Sequence, residues 1–188
     1  MRIITGSAKG TKLKTPRGLD VRPTADRVKE SMFNILGSVV LDADVLDLFA
    51  GTGNLGLEAV SRGAKSAIFV DNSPASIALI KENIIHTKLA DRTHVYKSDA
   101  LRYIDRAAQL GQNFDLIFCD PPYNKGLATA VAEKLDNRLL LRENGLLVIE
   151  HSRREILNDN FFNLNIVLTK QYGETMISFI QRKAKVIF

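Results

Sequence analysis

The chain has 188 residues, 45% hydrophobic and 25% charged, with a net charge of +5 and a single cysteine. That balance suits one globular domain with a full core, and it excludes both a disordered chain and a disulfide scaffold. No run approaches the ~18 apolar residues of a membrane span, and MRIITGSAKG lacks the apolar stretch of a secretory signal. A cytoplasmic protein with Cys119 reduced is therefore expected.

The charge is concentrated at one end. Residues 1–30 hold eight basic side chains (Arg2, Lys9, Lys12, Lys14, Arg17, Arg22, Arg27 and Lys29) against Asp20, Asp26 and Glu30. The remainder balances at 18 of each sign, so this segment carries the whole net charge. A basic arm on a neutral body is the footprint of a polyanion partner. The pattern predicts two short strands, Arg2–Thr5 and Thr11–Lys14, joined through Gly6–Gly10. Arg22-Pro23-Thr24 is expected to be extended, because the residue before proline avoids the helical region. A helix then opens at Thr24 or Ala25, with Val28, Met32, Ile35 and Leu36 at apolar spacing and Gly37 as its stop.

From Asp42 onward strands and helices alternate. Strands are expected at Val45–Phe49, Ser66–Val70, Thr93–Tyr96, Phe114–Cys119 and Leu146–Glu150, with helices near 54–62, 74–86, 100–109 and 126–139. Short apolar strands alternating with helices indicate an α/β, Rossmann-like fold, a mostly parallel sheet covered on both faces. Asn165–Lys170 and Thr175–Arg182 form a hairpin through Gln171–Glu174, which gives seven strands with the last antiparallel. The expected organisation is an N-terminal extension, 1–37, on a domain spanning 38–188. A short exposed hairpin of this kind is expected to add little to the core.

In such a sheet, ligands bind beyond the carboxyl ends of the strands, where the strand order reverses. The first strand runs into DLFAGTGNLG, whose Gly51, Gly53 and Gly56 fit G-x-G-x-x-G, a pattern expected by chance roughly 0.05 times here. Glycine allows the tight turn and lets a ligand approach the backbone. Phe49, Asn54 and Leu55 flank this loop, and Asp47 either orders it or meets a ligand ammonium. Asp71, beside Asn72, ends the second strand twenty residues after Gly51, where a carboxylate can accept from both ribose hydroxyls. Asp99 and Ala100 close the third strand, near an adenine amino group. These features identify an adenosine-type ligand without separating NAD from S-adenosylmethionine (SAM).

Asp120-Pro121-Pro122-Tyr123, at the end of the fourth strand, separates them. A chance DPPY is expected roughly 0.0002 times in this chain. The prolines fix φ and remove competing N–H donors. Asp120 then offers a carboxylate, Pro121 a carbonyl and Tyr123 a flat face, a set suited to gripping a planar base by its exocyclic amino group. Hydride transfer has no use for them. His86 is read as a surface residue, His151, after the fifth strand, as adjacent to the pocket, and Cys119 as core. No residue set has metal-ligand spacing, so no metal is expected.

DPPY after strand four, with a glycine loop after strand one, resembles the SAM-dependent amino-methyltransferases. MRIITG, KGTKL, RPTADRVKESMFNIL, DLFAGTGNLGLEAVSRGA and YGET together resemble the bacterial 16S ribosomal RNA guanine-N2 methyltransferase family nearly end to end. Thr52 and Asn54 stand where that family more often has small residues, and Lys9 and Thr11 where arginines are usual. The resemblance implies a class I methyltransferase that takes SAM as cofactor and acts as a monomer on 16S ribosomal RNA, within an assembling small subunit. Arg2, Lys9, Lys12, Lys14, Arg17, Arg22 and Arg27 would contact RNA, and the RPTADR segment would fold over cofactor and substrate. Three alternatives remain at this point: an adenine-N6 methyltransferase of DNA or RNA, a non-catalytic RNA-binding protein, and an NAD-binding Rossmann protein.

Overall fold

A computed structural model describes residues 1–16 and 23–183. Arg17 and Arg22 lie outside the described residues. Seven strands form one sheet: β1 (Asp44–Leu48), β2 (Ser66–Asp71), β3 (Thr93–Lys97), β4 (Phe114–Cys119), β5 (Leu141–Ser152), β6 (Leu164–Tyr172) and β7 (Thr175–Arg182). Their order is β3-β2-β1-β4-β5-β7-β6, parallel through β5, with β7 antiparallel to both its neighbours. The chain leaves β3 and re-enters on the far side of β1, so the order reverses between β1 and β4. The carboxyl ends of those two strands flank the crevice that such a reversal opens.

The helices are α1 (Pro23–Leu36), α2 (Asn54–Ser61), α3 (Pro74–Thr87), α4 (Ala100–Gln109) and α5 (Leu127–Arg138). Each sheet face has its own core, because strands covered on both sides bury residues of both parities. One core gathers α1, α2 and the N-terminal arm around Phe69, Phe118 and Phe179, and the other gathers α4 and α5 around Ile117, Leu147 and Ile149. On α1 the inward residues are Val28, Met32, Phe33 and Leu36; Ile35, expected inside, is 38% exposed. Phe33 takes its place, its ring 5.6 Å from that of Phe118 and under the Arg62 guanidinium.

The N-terminal arm departs from expectation. It makes one antiparallel bridge, Arg2 to Lys12, rather than two paired strands. The reason is a competing acceptor: the backbone N–H groups of Ile4 and Thr5 donate to the Glu58 carboxylate, at 2.8 and 3.1 Å. Nor is the arm peripheral, since Ile3, Ala8 and Leu13 are buried in the first core. Lys14 N–H donates to Asn83 Oδ1 at 2.7 Å, and a Cβ on Gly6 would lie 1.7 Å from the Ser61 carbonyl oxygen. Strand β5 begins five residues earlier than expected. Asn144-Gly145 is absorbed as an irregularity, with Asn144 at φ 64° and a register shift against β4.

Candidate active site

The segment joining β1 to α2 turns sharply, with Phe49, Gly51 and Gly53 all at positive φ (59°, 57° and 78°). A Cβ on Gly51 would meet only the Phe49 carbonyl oxygen, 3.9 Å away, so this backbone lies open to a ligand. Gly56 serves packing instead: a Cβ there would sit 2.4 Å from the Phe69 ring. That close approach lets Gly56 N–H donate to Asp47 Oδ2 at 2.9 Å, which ties the start of α2 to β1. Asp71 anchors the other flank, its two oxygens accepting from Gly51 N–H and Ser73 N–H at 2.9 Å each.

Beyond these strand ends lies a cavity of about 1240 Å³, above the roughly 300–1,000 Å³ of a single-ligand pocket. Its walls include Asp47, Phe49, Gly51, Asn54, Leu55 and Asp120 from the expected set. Gly53, Asp71, Asn72, Pro121 and Tyr123 are sequence neighbours of wall residues or bond to them without forming the wall, while Asp99 and Ala100, at the start of α4, are not brought to it. Asp99 caps α4, accepting from Arg102 N–H at 3.1 Å. His151 is buried in the sheet, its Nδ1 facing the carbonyls of Ser152 and Glu155 and its Nε2 the Ser178 hydroxyl, and it lies off the cavity wall. His86 is exposed and Cys119 buried.

Several wall residues escaped the sequence reading. Met1, Thr15 and Pro16 bring the arm to the cavity, and the turn Tyr172–Thr175 closes it, held to α1 by a 2.5 Å hydrogen bond between the Tyr172 and Ser31 hydroxyls. Lys29, 2% exposed, donates to Asn54 Oδ1, Arg2 carbonyl and Glu58 at 2.7, 2.6 and 2.9 Å. Glu150, near the carboxyl end of β5, is the most informative. Its position follows the same rule as Asp120, a lone carboxylate at the carboxyl end of an apolar strand, and that rule would have found it.

The wall is acidic. Among the described residues, the side chains of Asp47, Glu82, Asp120, Glu150 and Glu174 share the wall with one cationic side chain, Lys29, whose protons are already engaged. Dehydration pushes the Asp47 carboxyl up to about 8, despite the Gly56 hydrogen bond, and the Asp71 charge adds to the rise. Asp120 opens to solvent yet sits deep in the concavity, with protein on most sides; dehydration first, then Glu150 and Asp47, hold its pKa well above the usual carboxylate range. Glu150 is raised too, chiefly by burial. Tyr123 donates its hydroxyl to Glu150 Oε1, and Glu155 accepts from Asn124 and Gly126 N–H at 3.1 and 3.0 Å, which pins the loop after β4 to the segment after β5.

This chemistry fits SAM. Its sulfonium and ammonium outweigh its carboxylate, so the molecule is a cation suited to an acidic cavity, and the open backbone at Gly51 gives it room. Asp71→Ala should weaken SAM binding roughly 10–100-fold by removing charge-assisted hydrogen bonds that also set the loop. Calorimetry showing unchanged affinity would detach Asp71 from the cofactor.

Among curated relatives, YlbH of Bacillus subtilis, named as a candidate rRNA methyltransferase, is 39% identical over 183 residues, 97% of this chain and 100% of that protein. Ribosomal RNA small subunit methyltransferase D of Escherichia coli is 34% identical over 185 residues, 98% and 91% of the two chains. The solved structure of Escherichia coli yhhF, 34% identical, superposes with a TM-score of 0.84 over 98% of this chain and 99% of that one. The family described as Conserved hypothetical protein 95 matches residues 1–181. The chain belongs to that family, the methyltransferase family its motifs resemble, and is a SAM-dependent enzyme of Rossmann-like fold.

Proposed function

We propose that the chain transfers a methyl group to the exocyclic N2 amino group of a guanine in 16S ribosomal RNA, acting as a cytoplasmic monomer on an assembling small subunit. The observation that carries this reading is Asp120: a carboxylate of the DPPY turn in the wall of the same cavity as the glycine loop. The names of the relatives support rRNA as the substrate. No helix among the described residues is long and apolar enough to cross a membrane.

SAM, when bound, supplies an electrophilic methyl group; the rest falls to the chain. The N2 lone pair is delocalised into the guanine ring, which makes it a poor nucleophile. Asp120 and the Pro121 carbonyl each accept a hydrogen bond from one N2–H, which localises the lone pair. Asp120 then faces the positive charge that develops on nitrogen, an electrostatic contribution of about 3–4 kcal/mol for a well-placed group. It needs no unusual basicity, because the N–H becomes acidic once nitrogen is alkylated. Tyr123 offers its face to a base swung out of its stack, worth about 1–3 kcal/mol.

Asp71, Asn72, Asp99 and Ala100 are assigned to the adenosine end and Asp47 to the ammonium. Lys9, Lys12, Arg2 and Arg27 are exposed and Lys14 pairs with Glu82 at 3.0 Å. These five, with Arg17 and Arg22, are assigned to RNA. The deciding experiment is nucleoside analysis of 16S rRNA from cells lacking the gene, then remethylated by the purified protein. N2-methylguanosine restored at one position supports the reading; N6-methyladenosine replaces it with the adenine alternative. A Lys9→Ala/Lys12→Ala pair should make the log affinity against log salt slope shallower by about 1.4 units, near 0.7 per phosphate contact. An unchanged slope would move the RNA surface elsewhere.

A further inference from the structure

Glu150 has no part in the chemistry above, yet its surroundings are specific. It lies two residues before the end of β5, in the register that pairs Cys119 of β4 with Ile149, so its carboxylate and that of Asp120 share one end of the cavity. Asp71 stands on β2, across β1 and β4 in the sheet. Oε1 of Glu150 accepts the Tyr123 hydroxyl, which also contacts Thr175 Oγ1 at 3.2 Å. Among the described residues no donor reaches Oε2, and this oxygen is not sealed from solvent, so it opens to the cavity. One oxygen fixes the aromatic face; the other is left for a ligand.

Guanine differs from adenine beside its amino group. Guanine N1 carries a proton, whereas adenine N1 presents a bare lone pair. With Asp120 and Pro121 on the amino protons, the next polar atom along the Watson–Crick edge is N1. We propose that Glu150 is the base-selecting residue: its Oε2 accepts the guanine N1–H and repels any base whose N1 is unprotonated. The assignment rests on the guanine reading above. A carboxylate built to accept a hydrogen bond rejects an analogue without the donor, because its own charge is then left dehydrated and unpaired. The N–H donor also offsets the burial that otherwise favours the neutral acid, so binding of the base selects the ionised form.

The rival role, holding Tyr123 alone, is separable. Two small-subunit RNAs would be compared, identical except for guanine or 2-aminopurine at the methylated position. 2-Aminopurine keeps the N2 amino group but has a bare N1. Wild type should favour guanine in kcat/KM by roughly 10–100-fold, the scale of one good base contact. Glu150→Gln should bring the two within about threefold, because its amide N–H can meet a bare N1. Tyr123→Phe should slow both RNAs alike and keep the preference. The assignment is overturned if wild type shows no preference, a result independent of how any variant folds, or if Glu150→Gln retains the wild-type ratio. N2-methylguanosine with an unchanged ratio removes Glu150 alone; a different methylated nucleoside removes the functional reading beneath it.

Discussion

Asp120→Asn is expected to lower turnover by about two orders of magnitude or more, with SAM affinity within about threefold of wild type. The substitution keeps the shape but turns one acceptor into a donor where an amino proton must be received. Its effect falls on kcat and kcat/KM together, because the charge on nitrogen develops only in the transition state. Stability should move the other way. Dehydration and the charges of Glu150 and Asp47 raise the Asp120 pKa. A carboxyl raised in the fold contributes stability that is fully present below its unfolded pKa near 3.9 and is lost as pH rises through the folded value. As pH rises above the unfolded value, Asp120 thus becomes a cost to the fold, and the asparagine variant should melt no lower than wild type. Single-turnover assays and thermal melts at pH 5 and 8 give both answers. Wild-type turnover would remove Asp120 from the chemistry, and a lower melting point at pH 8 would mean the carboxylate is structural.

The same geometry shows which parts of the molecule were legible beforehand. Strand ends were, because apolar runs bounded by polar or glycine residues declare themselves, and a parallel sheet places functional groups at those ends. Asp47, Gly51 and Asp120 follow from that rule alone. Packing across long sequence distance was not legible. Ile35 and Phe33 both satisfy an apolar helix pattern, and only the Phe118 ring, 85 residues downstream, decides which turns inward. Ile4 and Thr5 lack a strand ladder because Glu58 takes their N–H groups, a pairing no local pattern encodes. Lys29 reads as one more charge of a basic arm, yet it is buried and wholly paired. Nor does the arm add little to the core, as its short hairpin pattern suggests: its loss would uncover Ile3 and Leu13 and leave Glu58 without backbone partners.

Glu58→Gln should therefore destabilise the protein by about 3–5 kcal/mol, the cost of leaving a buried charge without its counter-ion. Glu58 is fully buried and accepts from Lys29, Arg62, Ile4 and Thr5, at 2.9, 2.7, 2.8 and 3.1 Å. A glutamine turns one acceptor toward four donors into a fifth donor and withdraws the attraction that keeps the Lys29 ammonium charged. Burial already lowers the Lys29 pKa, with Glu58 the main opposing influence. In the variant that opposition is gone, and the pKa drops further. A base depressed in the fold contributes stability above its unfolded pKa near 10.4 that is lost as pH falls through the folded value. The variant's deficit should accordingly be largest at neutral and acidic pH and shrink toward pH 10. Adding Lys29→Met removes the stranded charge, so the double variant should recover part of the loss, with a coupling of about 1–3 kcal/mol in urea denaturation. The effect should reach the cofactor as well. Lys29 holds Asn54 Oδ1 at 2.7 Å at the mouth of the glycine loop, and Met1 and Pro16 of the arm wall the same cavity. SAM affinity should fall in Glu58→Gln even below its melting transition, though Glu58 itself does not form the cavity wall. Wild-type stability across this pH range would mean that the arm is held by apolar burial alone, and the ion pair would then be incidental to both fold and site.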